Sequence, residues 1–315
     1  MSTPILLDCD PGHDDAIALL LALASPELEL LGVTTVAGNQ TVEKTTANAI
    51  RVLELVGSDV PVAAGAGRPL VREPYVAAYV HGETGLDGPD LPPARREPVD
   101  QHAVDFLAER IDGATLVATG PLTNVALLLA RDEKAGPERI VLMGGAIAEG
   151  NVTPAAEFNI WADPEAAARV FSSGLDVTMV GLDVTHQALL TDEHAARLRE
   201  NGRVGNVVAD LLDFYGLFHK RVYDFEGSPI HDAVAVAQVL RPELLELREL
   251  NVEIDRESEL CRGRTVVDVW KRTGREPNAR VAVGIDADGF IELLLDRLGS
   301  LDDVAGTVPE RGLSQ

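Results

Sequence analysis

An apolar strand that runs straight into a crowd of carboxylates is the feature that most limits how this chain can fold. "PILLDCD" (residues 4–10) reads as a buried strand, and "DCDPGHDDA" (8–16) overlaps its end. Asp8, Asp10, Asp14 and Asp15 fall within eight residues around a Pro-Gly turn. Side chains alternate along a strand, so Asp8 and Asp10 share one face at its end. Burying several ionised carboxylates is very costly without a counter-charge. No Lys or Arg lies nearby in sequence. A hard divalent cation would resolve the repulsion. Oxygen ligands without a Cys/His cluster suggest Ca²⁺ or Mg²⁺ rather than zinc, and an all-carboxylate cage fits Ca²⁺ better. Taken alone, Asp14 and Asp15 also read as residues that cap and charge-stabilise a helix start.

Beyond this strand the pattern alternates. A helix over "DDAIALLLALAS" ends before Pro26, and a β-branched strand follows at 29–38. The spacing predicts a helix at 41–57, a short strand at 60–66, a strand at 114–120 and a helix at 122–131. Strands at 139–146 and 176–185 flank a helix at 164–174. Helices are expected around 191–200, 203–220 and 231–240, and the C-terminal part reads as strand, strand, helix. Residues 81–98, dense in Gly, Pro and charge, read as an irregular segment that could act as a lid. Repeated strand–helix units predict an α/β fold: one domain over 1–315 with an open, mostly parallel sheet and helices on both faces. A chain that is 46% hydrophobic but only 4% aromatic must build its core on Ala, Val, Leu and Ile, which suits such a sheet.

The charge excludes some partners. Lys and Arg total 27 against 51 for Asp and Glu, a net charge of −24. Phosphate backbones and anionic membranes would be repelled, so no nucleic-acid or membrane partner is expected. The longest aliphatic stretch, 16–24, is too short to span a bilayer. The first residues do not read as a signal peptide, and two cysteines, Cys9 and Cys261, fit a reducing cytoplasm.

In open parallel sheets, ligands bind beyond the carboxyl ends of the strands. Polar residues do recur at the predicted exits: "GNQT" (38–41), "TGPLTN" (119–124) and "MGGAIAEGNVTPAAEFN" (143–159). Each also has a plain reading, with Asn39 and Asn124 as turn or cap residues and Glu157 and Asn159 as loop decoration. "GSPIHDAVAVA" (227–237) places His231 and Asp232 at a helix start, where a cap beside a satisfied histidine is the ordinary alternative. Tyr215, His219 and Tyr223 recur every four residues and share one helix face. Such a stripe is usually core. In a chain so poor in aromatics it also suggests a pocket that stacks on a flat ring.

Together these motifs resemble the inosine-uridine-preferring nucleoside hydrolase family, over roughly residues 4–240. The resemblance implies a tightly held Ca²⁺, with Asp10, Asp15, Asp232 and the main-chain carbonyl of Thr119 as ligands and Asp8 behind them. It implies ribose binding by Asp14, Asn39, Asn151, Glu157 and Asn159, with Met143 packed near the sugar. The implied reaction is hydrolysis of a ribonucleoside's N-glycosidic bond, Asp10 taking a proton from the attacking water as general base. Ca²⁺ acidifies that water and orients the sugar hydroxyls. The course parallels that of inverting glycosidases. His231 is the implied proton donor to the leaving base, His81 lies near the nucleobase, and Tyr223 contacts it. The pair His81 and His231 resembles the pyrimidine-preferring subgroup, while Trp161 and Trp270 do not match the aromatic sandwich of purine-preferring members. Uridine and cytidine are therefore the expected substrates, with a broad or inosine-preferring nucleoside hydrolase as the alternative. The family also implies a homodimer or homotetramer.

Two rival readings remain. Aspartyl phosphotransferases also place Asp-x-Asp after a first strand, but "PGHDD" lacks the Thr that normally follows. A catalytically silent ribose- or Ca²⁺-binding protein would be expected to lose a residue such as Asp10 or His231, and both are present.

Overall fold

The computed structural model describes residues 2–131 and 136–305. Its centre is an eight-stranded sheet. We label β1 (Thr3–Cys9), β2 (Leu28–Thr35), β3 (Val62–Ala64), β4 (Thr115–Ala118), β5 (Arg139–Met143) and β6 (Val177–Val180). They lie in the order β3-β2-β1-β4-β5-β6, all parallel, followed by the strands Ala279–Ile285 and Leu245–Leu250. Only the last pair is antiparallel. The strand order reverses beside β1, so a crevice opens where the ends of β1 and β4 part from their helices.

β1 is central, and Ile5 through Cys9 are fully buried. Its alternation sorts the core. Ile5, Leu7 and Cys9 pack in one apolar layer, and Leu6 packs in the other with Phe106 and Leu107. Helix α1 (His13–Leu23) is buried from His13 to Ala22, as a helix apolar all round must be. It packs against the helix His231–Leu240, which is also buried along its length.

The alternation read from sequence is present through β6. Two stretches differ. The predicted strand at 176–185 stops at Val180, and Leu182–Thr185 forms a short helix capped at Gly181. Its β-branched residues lose to a change of direction, in which Leu182 N–H bonds the Gly145 carbonyl at 2.9 Å. Among the described residues the C-terminal part holds four strands rather than two. Val252–Ile254 and Thr265–Val267 form a separate antiparallel pair between the two sheet strands.

Residues 82–98 are irregular, as predicted, but pinned. Helix α2 (Val42–Leu55) and the turn before it hold this strap through polar side chains spaced every three or four residues. Gln40 Nε2 donates to Gly82 O at 2.9 Å, Asn48 Nδ2 to Thr84 O at 2.9 Å, and Arg51 Nη2 to Leu91 O at 2.6 Å. Lys44 Nζ donates to Glu83 O, and the Glu54 carboxylate accepts the main-chain N–H groups of Arg95 and Arg96. Among the described residues no helix is long and apolar enough to cross a membrane.

Candidate active site

The two distant acidic motifs meet because their helices pack side by side. Asp14 and Asp15 lie in the first turn of α1, and Asp232 lies in the first turn of His231–Leu240. A carboxylate oxygen from each of the three lies within 4.8 Å of the others. Two helix N-termini thus face one carboxylate cluster, and each favours negative charge. Asp10, leaving β1, is wholly buried beside this triplet rather than a member of it.

Main-chain and side-chain donors together hold the cluster. Asp10 Oδ2 accepts the Asn39 N–H at 2.6 Å. Asp15 accepts from Gly12 N–H (3.0 Å), Asn39 Nδ2 (3.0 Å), Thr119 Oγ1 (2.9 Å) and Asp10 N–H (3.3 Å). Asp8 sits behind, its Oδ1 bonded by Thr34 Oγ1 at 2.6 Å and Asn124 Nδ2 at 2.8 Å. Glycine is required around Asp10. A Cβ on Gly38 would fall 2.1 Å from Asp10 Oδ2, and one on Gly120 2.7 Å from Oδ1.

These donors do not suffice. Asp10 Oδ1 and Asp8 Oδ2 are buried without a partner. Burial pushes the Asp10 and Asp232 carboxyls well above the usual range, helped by neighbouring carboxylates. Burial, then Asp15, raises Asp14 to about 8, and burial raises Asp15 as well. Burial raises Asp8 to about 6 against its two side-chain hydrogen bonds. No Lys or Arg lines the pocket among the described residues. An all-oxygen donor set with an orphaned carboxylate oxygen suits a hard divalent cation.

Above this floor lie the residues expected at the sugar. Asp14, Asn39, Met143, Asn151, Glu157 and Asn159 all line one pocket, together with Thr119. Glu157 caps the helix Phe158–Ala162, accepting Asn159 N–H at 2.8 Å and Ile160 N–H at 3.1 Å, and it also takes Gly145 N–H at 2.9 Å. Burial raises its carboxyl to about 7. Asn159 Nδ2 donates to the Thr119 carbonyl at 2.7 Å, which leaves that oxygen one free lone pair. Asn151 Oδ1 is used by Phe158 N–H at 2.9 Å, so its Nδ2 is the end left for a ligand.

The opposite wall is aromatic and imidazole-rich. His81, Tyr215, His219, Tyr223 and His231 line it. The predicted stripe on the helix Arg203–Tyr223 therefore does face the pocket. Tyr223 stacks at 5.9 Å and 24° on His219, and its hydroxyl donates to the Asn151 carbonyl at 3.2 Å. His231 Nδ1 meets Thr185 Oγ1 at 2.7 Å. Burial holds His231 and His81 well below the ordinary histidine range, and His219 down at about 4. Trp161 and Trp270 do not line the pocket, and Trp270 is 83% exposed.

Sequence reasoning missed His13, His186, Phe158, Phe218 and Tyr79. His186 lines the wall 5.4 Å from the His231 ring. Its signal is present in the sequence: it follows a strand exit, which the expectation of one strand over 176–185 hides. Phe158, Phe218 and Tyr79 complete the lining, and His13 touches His81 from behind.

Comparison with known proteins matches this geometry to a family. A sequence model described as inosine-uridine preferring nucleoside hydrolase matches residues 5–292. The pyrimidine-specific ribonucleoside hydrolase RihA of Shewanella sp. (strain MR-7) is 55% identical over 307 residues, covering 95% of this chain and 96% of that protein. RihA of Photobacterium profundum is 52% identical over 309 residues, covering 95% of this chain and 100% of its own. Among solved structures, a purine-preferring ribonucleoside hydrolase from Gardnerella vaginalis superposes with a TM-score of 0.90 at 35% identity, covering 96% of this chain and 100% of the other.

Proposed function

Because the chain belongs to the inosine-uridine preferring nucleoside hydrolase family, we propose that it hydrolyses the N-ribosidic bond of pyrimidine ribonucleosides with Ca²⁺ held by Asp10, Asp15, Asp232 and the Thr119 carbonyl. The observation that carries this reading is the convergence of Asp14, Asp15 and Asp232 beneath a pocket walled by histidines. When bound, the cation supplies positive charge that acidifies a water and organises the sugar hydroxyls.

The protein groups divide the remaining work. Asp10, with one oxygen fixed by Asn39 N–H and the other unpaired, takes the proton of the attacking water. Asp14, Asn39, Asn151, Glu157 and Asn159 bind the ribose, and Met143 packs near it. The carboxylate oxygens of Asp14 and Glu157 and the amide oxygens of Asn39 and Asn159 favour the positive charge that develops on the sugar ring. His231 serves the leaving base. Burial favours its neutral ring, and this role takes the Thr185 hydroxyl as donor to Nδ1, the tautomer that puts the ring hydrogen on Nε2. From there it bonds the base as negative charge builds. His81 faces the base end, and Tyr223 offers it a ring face, since the tyrosine hydroxyl is already engaged.

Identity above half to RihA proteins over nearly the whole chain supports uridine and cytidine as substrates. The same reading includes a homodimer or homotetramer and a cytoplasmic location, which the free Cys9 and Cys261 suit. The test is ribose release from uridine, cytidine, inosine and adenosine after chelation and after Ca²⁺ add-back. Calcium-dependent release led by uridine or cytidine is expected. Release led by inosine would overturn the pyrimidine assignment, and undiminished release after chelation would overturn the cation's role.

A further inference from the structure

His13 begins α1 yet is turned away from the carboxylates. Its buried ring lies parallel to Phe214 (centroids 5.2 Å apart, 3° between planes) and to Tyr215 (5.4 Å, 7°). Both ring nitrogens are engaged. Nε2 lies 2.8 Å from the main-chain carbonyl of Asp87, in the strap pinned to α2. A carbonyl only accepts, so this nitrogen carries a hydrogen. Nδ1 lies 3.1 Å from Nδ1 of His81. The His13 main-chain N–H approaches the same His81 nitrogen at 3.3 Å. Gly12 makes this approach feasible, since a Cβ there would stand 2.5 Å from His81 Nδ1.

Two ring nitrogens in hydrogen-bond contact need one hydrogen between them. His13 already carries its hydrogen on Nε2 and presents a lone pair at Nδ1, so the shared hydrogen belongs to Nδ1 of His81. Without it that nitrogen accepts the His13 main-chain N–H. In both cases Nδ1 of His81 is spent on His13, and only Nε2 is left for the pocket that His81 lines. We propose that His13 is a positioning residue, which fixes the ring orientation and proton placement of His81 and ties both to the strap through Asp87. The inference rests on the proposed placement of His81 at the base end. It adds a second role to the opening motif, whose aspartates address the sugar and whose histidine sets a group on the opposite wall.

The test joins a spectroscopic and a kinetic readout. In the wild type, ¹⁵N spectra of the imidazoles are expected to show His81 as one tautomer with a hydrogen-bonded Nδ1. His13→Phe keeps the stacking surface and removes both ring nitrogens. It is expected to turn the His81 signals into a tautomer mixture and to lower kcat on uridine about 10- to 100-fold, with KM changed less. His13→Gln, which can still donate to the Asp87 carbonyl, is expected to fall between the two and serves if the Phe variant misfolds. The double variant His13→Phe/His81→Ala should lose no more than His81→Ala alone. An unchanged His81 spectrum in either folded variant, or losses that multiply in the double variant, would overturn the proposal. Wild-type turnover by His81→Ala would instead overturn the placement of His81, and the spectrum would still decide the His13 contact.

Discussion

The floor of the pocket and its far wall are built in opposite ways. At the floor Asp14 and Asp232, and buried beneath it Asp10 and Asp15, stand at a strand end or in a first helical turn, and main-chain N–H groups fix Asp10 and Asp15. At the wall, His81 ends a four-residue helix, His186 follows another, His219 rides a 21-residue helix and His231 opens a fourth. The floor concentrates like charge in regular structure. The wall gathers rings that burial keeps neutral, from segments far apart in the chain. The difference suits a reaction in which one end of the substrate becomes cationic and the other leaves as an anion.

The comparison breaks most sharply at Asp10. Asp10→Asn keeps the side chain's size and removes the proposed base, so turnover on every nucleoside should fall at least about 10³-fold while circular dichroism stays unchanged. Near-normal turnover would remove Asp10 from the chemistry. His231→Ala should separate the two ends. Uridine hydrolysis is expected to drop about 10²-fold, whereas p-nitrophenyl riboside, whose leaving group needs no proton, should change little. Equal losses on both would place His231 with the sugar instead.

A third expectation concerns pH. In cation-free protein, burial holds Asp14 at about 8 and Glu157 at about 7, so the folded state retains protons that the unfolded chain has released. Stability then falls as pH rises through this range. Below the ordinary histidine value of 6.5, His13 and His219, held near 4, act in the opposite sense, because the unfolded chain takes up their protons first. The melting temperature of cation-free protein should therefore fall between pH 6.5 and 8, and saturating Ca²⁺ should flatten the part of the slope due to Asp14, which lies in the carboxylate triplet, and leave the part due to Glu157, which does not. A slope unchanged by Ca²⁺ would separate the carboxylates from the cation. The smallest effect is expected at Tyr223→Phe, which loses one hydroxyl bond to the Asn151 carbonyl, worth about 1 kcal/mol. KM should rise a few-fold with kcat nearly unchanged.

The same contrast explains what the sequence revealed. The floor was legible because its residues are local: Asp8 to Asp15 fall in one run, and His231–Asp232 open a helix whose apolar pattern is unbroken. Strand exits flagged Asn39, Thr119 and the segment 143–159 for the same reason. The wall was partly legible through the stripe Tyr215, His219 and Tyr223, because period four survives on a long helix. His186 was lost to β-branched residues that fold as a helix after Gly181. His13 stood in plain view, but its partners are Asp87 and His81, reached only through the strap. The pinning of that strap was also invisible, because side chains of α2 bond its main chain and leave no pattern in the strap's own residues.

The most direct test of the account is a calorimetric Ca²⁺ titration of chelator-stripped protein at pH 7, repeated in buffers of different ionisation enthalpy. If a cation compensates the buried carboxylates, one site per chain should bind with release of protons, because those groups hold protons until the cation arrives. Asp232→Asn should weaken that binding. Binding without proton release, or no binding by folded protein, would contradict the claim that a cation holds the cluster together.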